Sequence, residues 1–424
     1  MFINKPHQIL MMVHHPELVS HPAEACRRGK PDQIEGDLVD IIGARILEID
    51  STARFDLRAV GYSSESRPRV DFSGEVSQSF LSNVDRDFYA AINRLAREHY
   101  NEVHRLHPDT DVLICNFRFN PQSHDLNSNT EAGDEGNPRM VAYFGTPNYL
   151  PWERFLAVGI RDVIDDIYQN DGCVPRHYDS AISHIDGLCA DGKVTVRALY
   201  KGSNPKIEHV TVAVQHGAEK PIEELREQVT ELVRAYISFW GSAYGFELGI
   251  PSVRVNGRGP WVKGGWEVDQ GSREAKPQLE GAQSYGCIED SGRGEDPTKP
   301  SRTGTILARA IAVSVVKSRL ADFANVTLGY DIGSSDATLN IVTNGTLKLP
   351  QRELHDIVRA RFPLNIHSVI ERFDLQNPKV YRGLVSASDT FQDPNFSWNQ
   401  PVVLHYHYKP EAVSAGQRGG DNGR

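Results

Sequence analysis

Apolar residues change their spacing several times along the first hundred positions. Over 32–48, Ile34, Leu38 and Ile41, with Arg45 in the same row, recur at the three-to-four-residue interval of a helix. Two runs with the alternation of strands follow, FDLRAVGY (55–62) and RVDFSGEV (69–76). Helical spacing then returns through Phe88, Ile92 and Leu95. The order is helix, strand, strand, helix. It recurs as a helix over 152–168, strands KVTVRALY and HVTVAVQH, and a helix over 221–239 carrying Leu225, Val229, Leu232 and Tyr236. A third copy has a helix over 304–321, strands NVTLGYDIG and ATLNIVTNG, and a helix over 351–361. One supersecondary unit used three times predicts an α+β protein of three similar α/β subdomains. Helices cover one face of each small sheet, leaving the other for a sister subdomain or a second chain.

The segments between the units, 116–139 and 256–302, are long and rich in Gly, Asp, Asn and Ser, as functional loops are. The boundaries that follow are an N-terminal extension (1–20), a first subdomain (21–110), a central loop with the second subdomain (111–250), glycine-rich loops with the third (251–408) and a disordered tail (409–424). A net charge of −10 argues against a nucleic-acid-binding surface. Five scattered cysteines with no C-x-x-C pair fit a reducing compartment and speak against structural zinc. Without a signal pattern or an apolar run of about 18 residues, a soluble cytoplasmic protein with no membrane partner is expected.

Three stretches carry candidate chemistry. RRGKPDQ (27–33) sets Gly29, Lys30, Pro31 and Asp32 at a helix start, where Asp is also an ordinary first-turn residue. VNGRGPWVKGGWEVDQGSRE (255–274) mixes glycines with Arg258, Lys263, Asp269 and Arg273 but contains neither common phosphate-loop motif. DSGRGEDPTKPSR (290–302) sets Lys299 and Arg302 at another helix start, where an anion or plain solvent could sit. Histidines crowd the N-terminus at His7, His14, His15 and His21, and His405 and His407 alternate along a possible terminal strand; none has a Cys or carboxylate at metal-ligand spacing.

In order, these segments resemble the S-adenosylmethionine synthetases. G-K-P-D at 29–32 is similar to that family's G-H-P-D, S-G-E at 73–75 to its G-G-E, and A-G-D-E-G at 132–136 to its A-G-D-Q-G. N-G-R-G at 256–259 with Gly264 and Gly265 resembles its N-P-T-G-R segment, and G-E-D-P-T-K at 294–299 its S-G-K-D-P-S-K. Ile332-Gly333, NPKVYRG and FSW resemble its later motifs. The resemblance implies three subdomains about a pseudo-threefold axis and a homodimer, or a dimer of dimers, with active sites between subunits. It also implies a reaction in which methionine sulfur attacks the 5′ carbon of ATP and expels triphosphate, with Mg2+ bound.

Carried over residue by residue, the resemblance assigns Glu24, Glu75, Asp134, Asp269, Lys299 and Ile332 to substrate binding, Asp32 to magnesium, and Lys30, Arg273 and Lys299 to catalysis. Glu75, Asp269 and Lys299 would hold the amino acid. The phosphate end departs from the family. Lys30 replaces the catalytic histidine, and Glu274 and Glu295 stand where the family has lysines. Ser301 replaces a magnesium carboxylate, Arg58 the potassium-binding glutamate, and a D-A-K lysine is missing at Asp179-Ser180-Ala181. Two lysines becoming glutamates shift the local charge by about four units, and each misplaced contact costs about 4 kcal/mol at an effective dielectric near 20. The readings are therefore methionine adenosyltransferase chemistry with Arg28, Arg258, Lys263, Arg293 and Arg302 as substitute cations, conversion of S-adenosylmethionine with Lys30 or Glu274 as base, or a non-catalytic subunit.

Overall fold

The computed structural model describes residues 19–64, 67–123, 134–175, 182–201, 204–270, 292–332, 334, 336–387 and 389–406. The expectations for the N-terminal histidines before His21, for 179–181, Arg273, Glu274, Gly333, His407 and the tail lie outside these residues.

The helix, strand, strand, helix order is present three times. Helix α1 (Pro31–Ile49) leads to β2 (Phe55–Ser64), β3 (Arg67–Val76), a short α2 (Gln78–Asn83) and α3 (Arg86–Val103). Helix α4 (Trp152–Gln169) leads to β6 (Leu188–Lys201), β7 (Asn204–His216) and α5 (Ile222–Tyr244). Helix α6 (Pro300–Lys317) leads to β9 (Phe323–Gly329), β10 (Thr338–Val342) and α7 (Gln351–Arg361). Two further described helices, α8 (Ile366–Phe373) and α9 (Pro378–Ser386), follow.

Four strands have no counterpart in the periodicity. Strand β4 (Ile114–Pro121) lies parallel to β3, and β8 (Ser252–Val255) lies parallel to β7, so the first two units share a third strand of the same sense. Strand β1 (Val19–Cys26) pairs antiparallel with β6 in the second sheet, and β5 (Arg139–Tyr143) pairs antiparallel with β9 in the third. The sheets read β2-β3-β4, β1-β6-β7-β8 and β10-β9-β5. Part of each segment read as loop is therefore ladder or helix. Helix α6 begins four residues before its expected start because Pro300 is pre-set for the first helical turn. It ends early where Arg319 takes a positive φ of 62°. Residues 401–406 form no strand, so the alternation around His405 is not a ladder.

The first helix of each unit differs physically from the last. Residues 34–40 of α1, 152–161 of α4 and 306–316 of α6 are buried without interruption, as in helices surrounded by protein. The closing helices bury one stripe: Phe88, Ile92 and Ala96 in α3, and Leu225, Val229, Leu232 and Tyr236 in α5. Buried polar groups on the central helices tie distant strands to them. Arg154 donates to the Glu24 carbonyl and pairs with Asp389, Arg161 donates to the Cys26 carbonyl at 2.8 Å, and Asp165 accepts from Arg27 at 2.7 Å. These contacts fasten β1 across α4. Arg309, fully buried in α6, donates to the carbonyls of Val141 (3.3 Å), Asn148 (2.5 Å) and Phe391 (3.1 Å) and to Asn399 (3.2 Å).

Replacing Arg309 by Met keeps the length and removes every one of these donors, stranding buried carbonyls. Urea denaturation should show a loss of roughly 3–5 kcal/mol, against under about 1 kcal/mol for an exposed control such as Arg94→Met.

Candidate active site

Two lysines occupy the same local position at two helix starts. Lys30 caps α1 and precedes Pro31; Lys299 caps α6 and precedes Pro300. A residue before proline is held extended, and the backbone angles agree: φ −71°, ψ 135° at Lys30 and φ −79°, ψ 128° at Lys299. Each ammonium thus projects from a helix N-terminus, whose dipole disfavours a cation. Carboxylates offset that penalty.

Lys30 Nζ lies 2.5 Å from Asp269 Oδ2 and 3.3 Å from Asp32 Oδ2. Asp191, on β6, adds a third negative charge nearby. Burial alone would lower the Lys30 pKa, but the Asp269 hydrogen bond and the charges of Asp32 and Asp191 outweigh it and raise it well above the usual lysine range. These partners favour the ammonium form of Lys30, which argues against it as the proton acceptor considered for a sulfonium reaction. Gly29 supplies the close approach: a Cβ there would fall 2.3 Å from Ala190 Cβ and 2.5 Å from its carbonyl carbon.

The loop carrying Asp269 is anchored at two points. Gly265, at φ 62°, donates its N–H to Asp191 Oδ2 at 2.7 Å, and the Trp266 indole N–H donates to Glu35 Oε1 at 2.9 Å. The indole lies over Gly61, where a Cβ would come within 1.8 Å of it, and stacks on Tyr100. Trp266 thereby joins the core of the first unit.

The second cluster is built on β2 and β3. Asp56 and Glu75 are directly opposite in the antiparallel register, a like-charge pair that needs a cation. Lys299 Nζ supplies it, 3.7 Å from each and 3.0 Å from Asp134 Oδ2. Burial lowers the Lys299 pKa, and the Asp134 hydrogen bond with the Asp56 charge raises it further in the other direction. Arg58 lies 2.9 Å from Asp56 and 3.9 Å from Glu295. Glu295 accepts the Ser301 hydroxyl; burial pushes its pKa up to about 7, with the Asp56 charge acting the same way. Asp296 fixes the loop to the edge of β2 by accepting from the N–H groups of Phe55 (2.8 Å) and Thr298 (2.7 Å). Arg293 and Arg302 complete the anchor, buried against Asp37 and Asp40 of α1, so they hold the loop.

The sequence-derived residues therefore gather at two centres. Lys30, Asp32 and Asp269 meet at one, and Lys299, Glu75 and Asp134 at the other. Glu75 and Lys299 are together as expected, whereas Asp269 is paired with Lys30. Glu24 lies on β1 beside Lys193, at 3.0 Å, and Ile332 is 54% exposed after β9. Asp56, Asp191 and Trp266 were not singled out in the sequence. The signals were there: Asp56 faces Glu75 in a hairpin register, and Asp191-Gly192 interrupts an apolar strand.

Magnesium at Asp32 does not fit these side chains. The lysine ammonium is 3.3 Å from the carboxylate that would bind it and holds Asp269 as well. Among the described residues, no group of three His, Cys, Asp or Glu side chains is placed to hold a metal ion.

Known proteins match this order of segments. Residues 280–400 match the S-adenosylmethionine synthetase, C-terminal domain family. The chain is 28% identical over 396 residues to an S-adenosylmethionine synthase of Aquifex aeolicus, covering 90% of this chain and 96% of that one. It is 30% identical over 402 residues to the Salinibacter ruber S-adenosylmethionine synthase, covering 89% and 94%. The chain belongs to the S-adenosylmethionine synthetase family. The fold is that of a mixed α+β member of this family. No described helix is long and apolar enough to cross a membrane.

Two measurements probe this site. Trp266→Ala should lower the unfolding free energy by roughly 3–5 kcal/mol, and Trp266→Phe by less, because the ring is kept while one donor to Glu35 is lost. For Glu295, the folded chain retains a proton that the unfolded chain releases, so its contribution is present below about pH 4.5 and lost as pH rises through about 7. Denaturation across pH 4.5–8 should show wild type losing on the order of 3 kcal/mol relative to Glu295→Gln; parallel curves would refute the assignment.

Proposed function

We propose that the chain is an adenosyltransferase that joins the sulfur of methionine, or of a methionine-like amino acid, to the 5′ carbon of ATP and releases phosphates. The observation that supports this is the cradle of Lys299 with Asp56, Glu75 and Asp134. It offers an ammonium to an α-carboxylate and carboxylates to an α-ammonium, so a zwitterionic amino acid exchanges the internal pairs for equivalent ones. A sulfur lone pair then forms the S–C5′ bond while the C5′–O bond breaks and its electrons leave on the phosphate oxygen. Lys30, permanently charged, stabilises that oxygen by a hydrogen bond and receives no proton. Arg273, Glu24 and Ile332 complete the proposed site as the family resemblance assigns them. The protein is proposed to act as a cytoplasmic homodimer. The free cysteines Cys26, Cys115, Cys173 and Cys189 support a reducing compartment.

A second reading, in which S-adenosylmethionine or a related sulfonium is the substrate, is favoured by the charge balance. Lys30, Arg58 and Lys299 stand among seven carboxyl groups: Asp32, Asp56, Glu75, Asp134, Asp191, Asp269 and Glu295. Such a site attracts a cation more readily than a triphosphate.

Incubation with ATP, methionine and magnesium, followed by mass spectrometry, should yield S-adenosylmethionine with phosphate. Lys299→Met should lower kcat/KM for the amino acid by about a hundredfold, equivalent to about 2.7 kcal/mol. Consumption of S-adenosylmethionine, with none formed from ATP, would select the second reading; neither reaction would reject both.

A further inference from the structure

We propose that the Lys30 ammonium, rather than a protein-bound divalent metal, is the resident counter-ion of Asp32, Asp191 and Asp269. The three carboxylates come from three separate places in the chain: the first turn of α1, strand β6, and the loop after Trp266. Their convergence is unfavourable without a cation. Lys30 is delivered to them by backbone constraint, since Pro31 keeps it extended and Gly29 packs against Ala190 with no room for a side chain. Its Nζ is within 2.5 Å of Asp269 and 3.3 Å of Asp32. Asp191 is 1% exposed, with Oδ2 occupied by the Gly265 N–H and Oδ1 buried without a hydrogen-bond partner.

A magnesium ion sits about 2.0–2.1 Å from its oxygen ligands and demands near-octahedral surroundings. At Asp32 it would lie against a like charge already bound to the neighbouring carboxylate. Any divalent ion therefore reaches this end of the site carried by the ligand, on its own phosphates, and metal dependence reports the identity of the ligand. A sulfonium would bind here without metal; a nucleoside triphosphate would bring its own. This holds under either reading of the reaction.

Mn2+ titration of the full-length protein, followed by electron paramagnetic resonance without nucleotide or amino acid, tests this independently of turnover. Wild type and Asp32→Asn should give the same isotherm. Lys30→Ala should gain a site binding about tenfold or more tighter than any in wild type, and the added Asp32→Asn should abolish it. Circular dichroism verifies folding, and Lys30→Gln serves if the alanine variant unfolds. Loss of Mn2+ binding from otherwise wild-type protein on Asp32→Asn would overturn the proposal, as would a folded Lys30 variant with no gained site.

Discussion

Carboxylates face one another across the strands and loops of the site, and two lysines hold them there. Asp56 and Glu75 are opposed in a ladder whose register is set by the hydrophobic faces of β2 and β3, so their proximity follows from the fold. Lys299, with Arg58 on Asp56, makes that register tolerable, and Lys30 does the same for Asp32, Asp191 and Asp269. Each lysine is in turn placed by a proline that forbids helical geometry at the cap. The electrostatics of the site and the helix starts of the first and third units are thus one constraint.

Loops that look irregular have buried anchors of their own. The 292–299 segment is pinned by Asp296 to the edge of β2 and by Arg293 and Arg302 to buried aspartates of α1. The 264–269 segment is pinned by Trp266 in the first core and Gly265 on β6. Both anchors use groups buried among apolar side chains, where an unmet polar atom is costly and a met one is specific.

Much of the fold was legible because its elements repeat their own period. Helices α3 and α5 show one apolar stripe, and the paired strands alternate cleanly. Strands β1 and β5 were not legible: VSHPAEAC carries Pro22 on an edge strand, and RMVAY is too short and uniformly apolar to show a period. Among site residues, Lys30, Asp32, Glu75, Asp134, Asp269 and Lys299 stood out by motif. Asp56, Asp191 and Trp266 needed the register and the loop path before their roles could be seen.

Local sequence therefore determined the three helix-hairpin-helix units and the Lys-Pro helix starts, because these depend on neighbours within a few residues. Which carboxylate meets which lysine was decided only by tertiary structure. Asp269 lies 239 positions from Lys30, and Asp134 lies 165 from Lys299. Electrostatic partners at such separations are fixed by how sheets and buried helices pack, and nothing in the spacing of a linear chain records that distance.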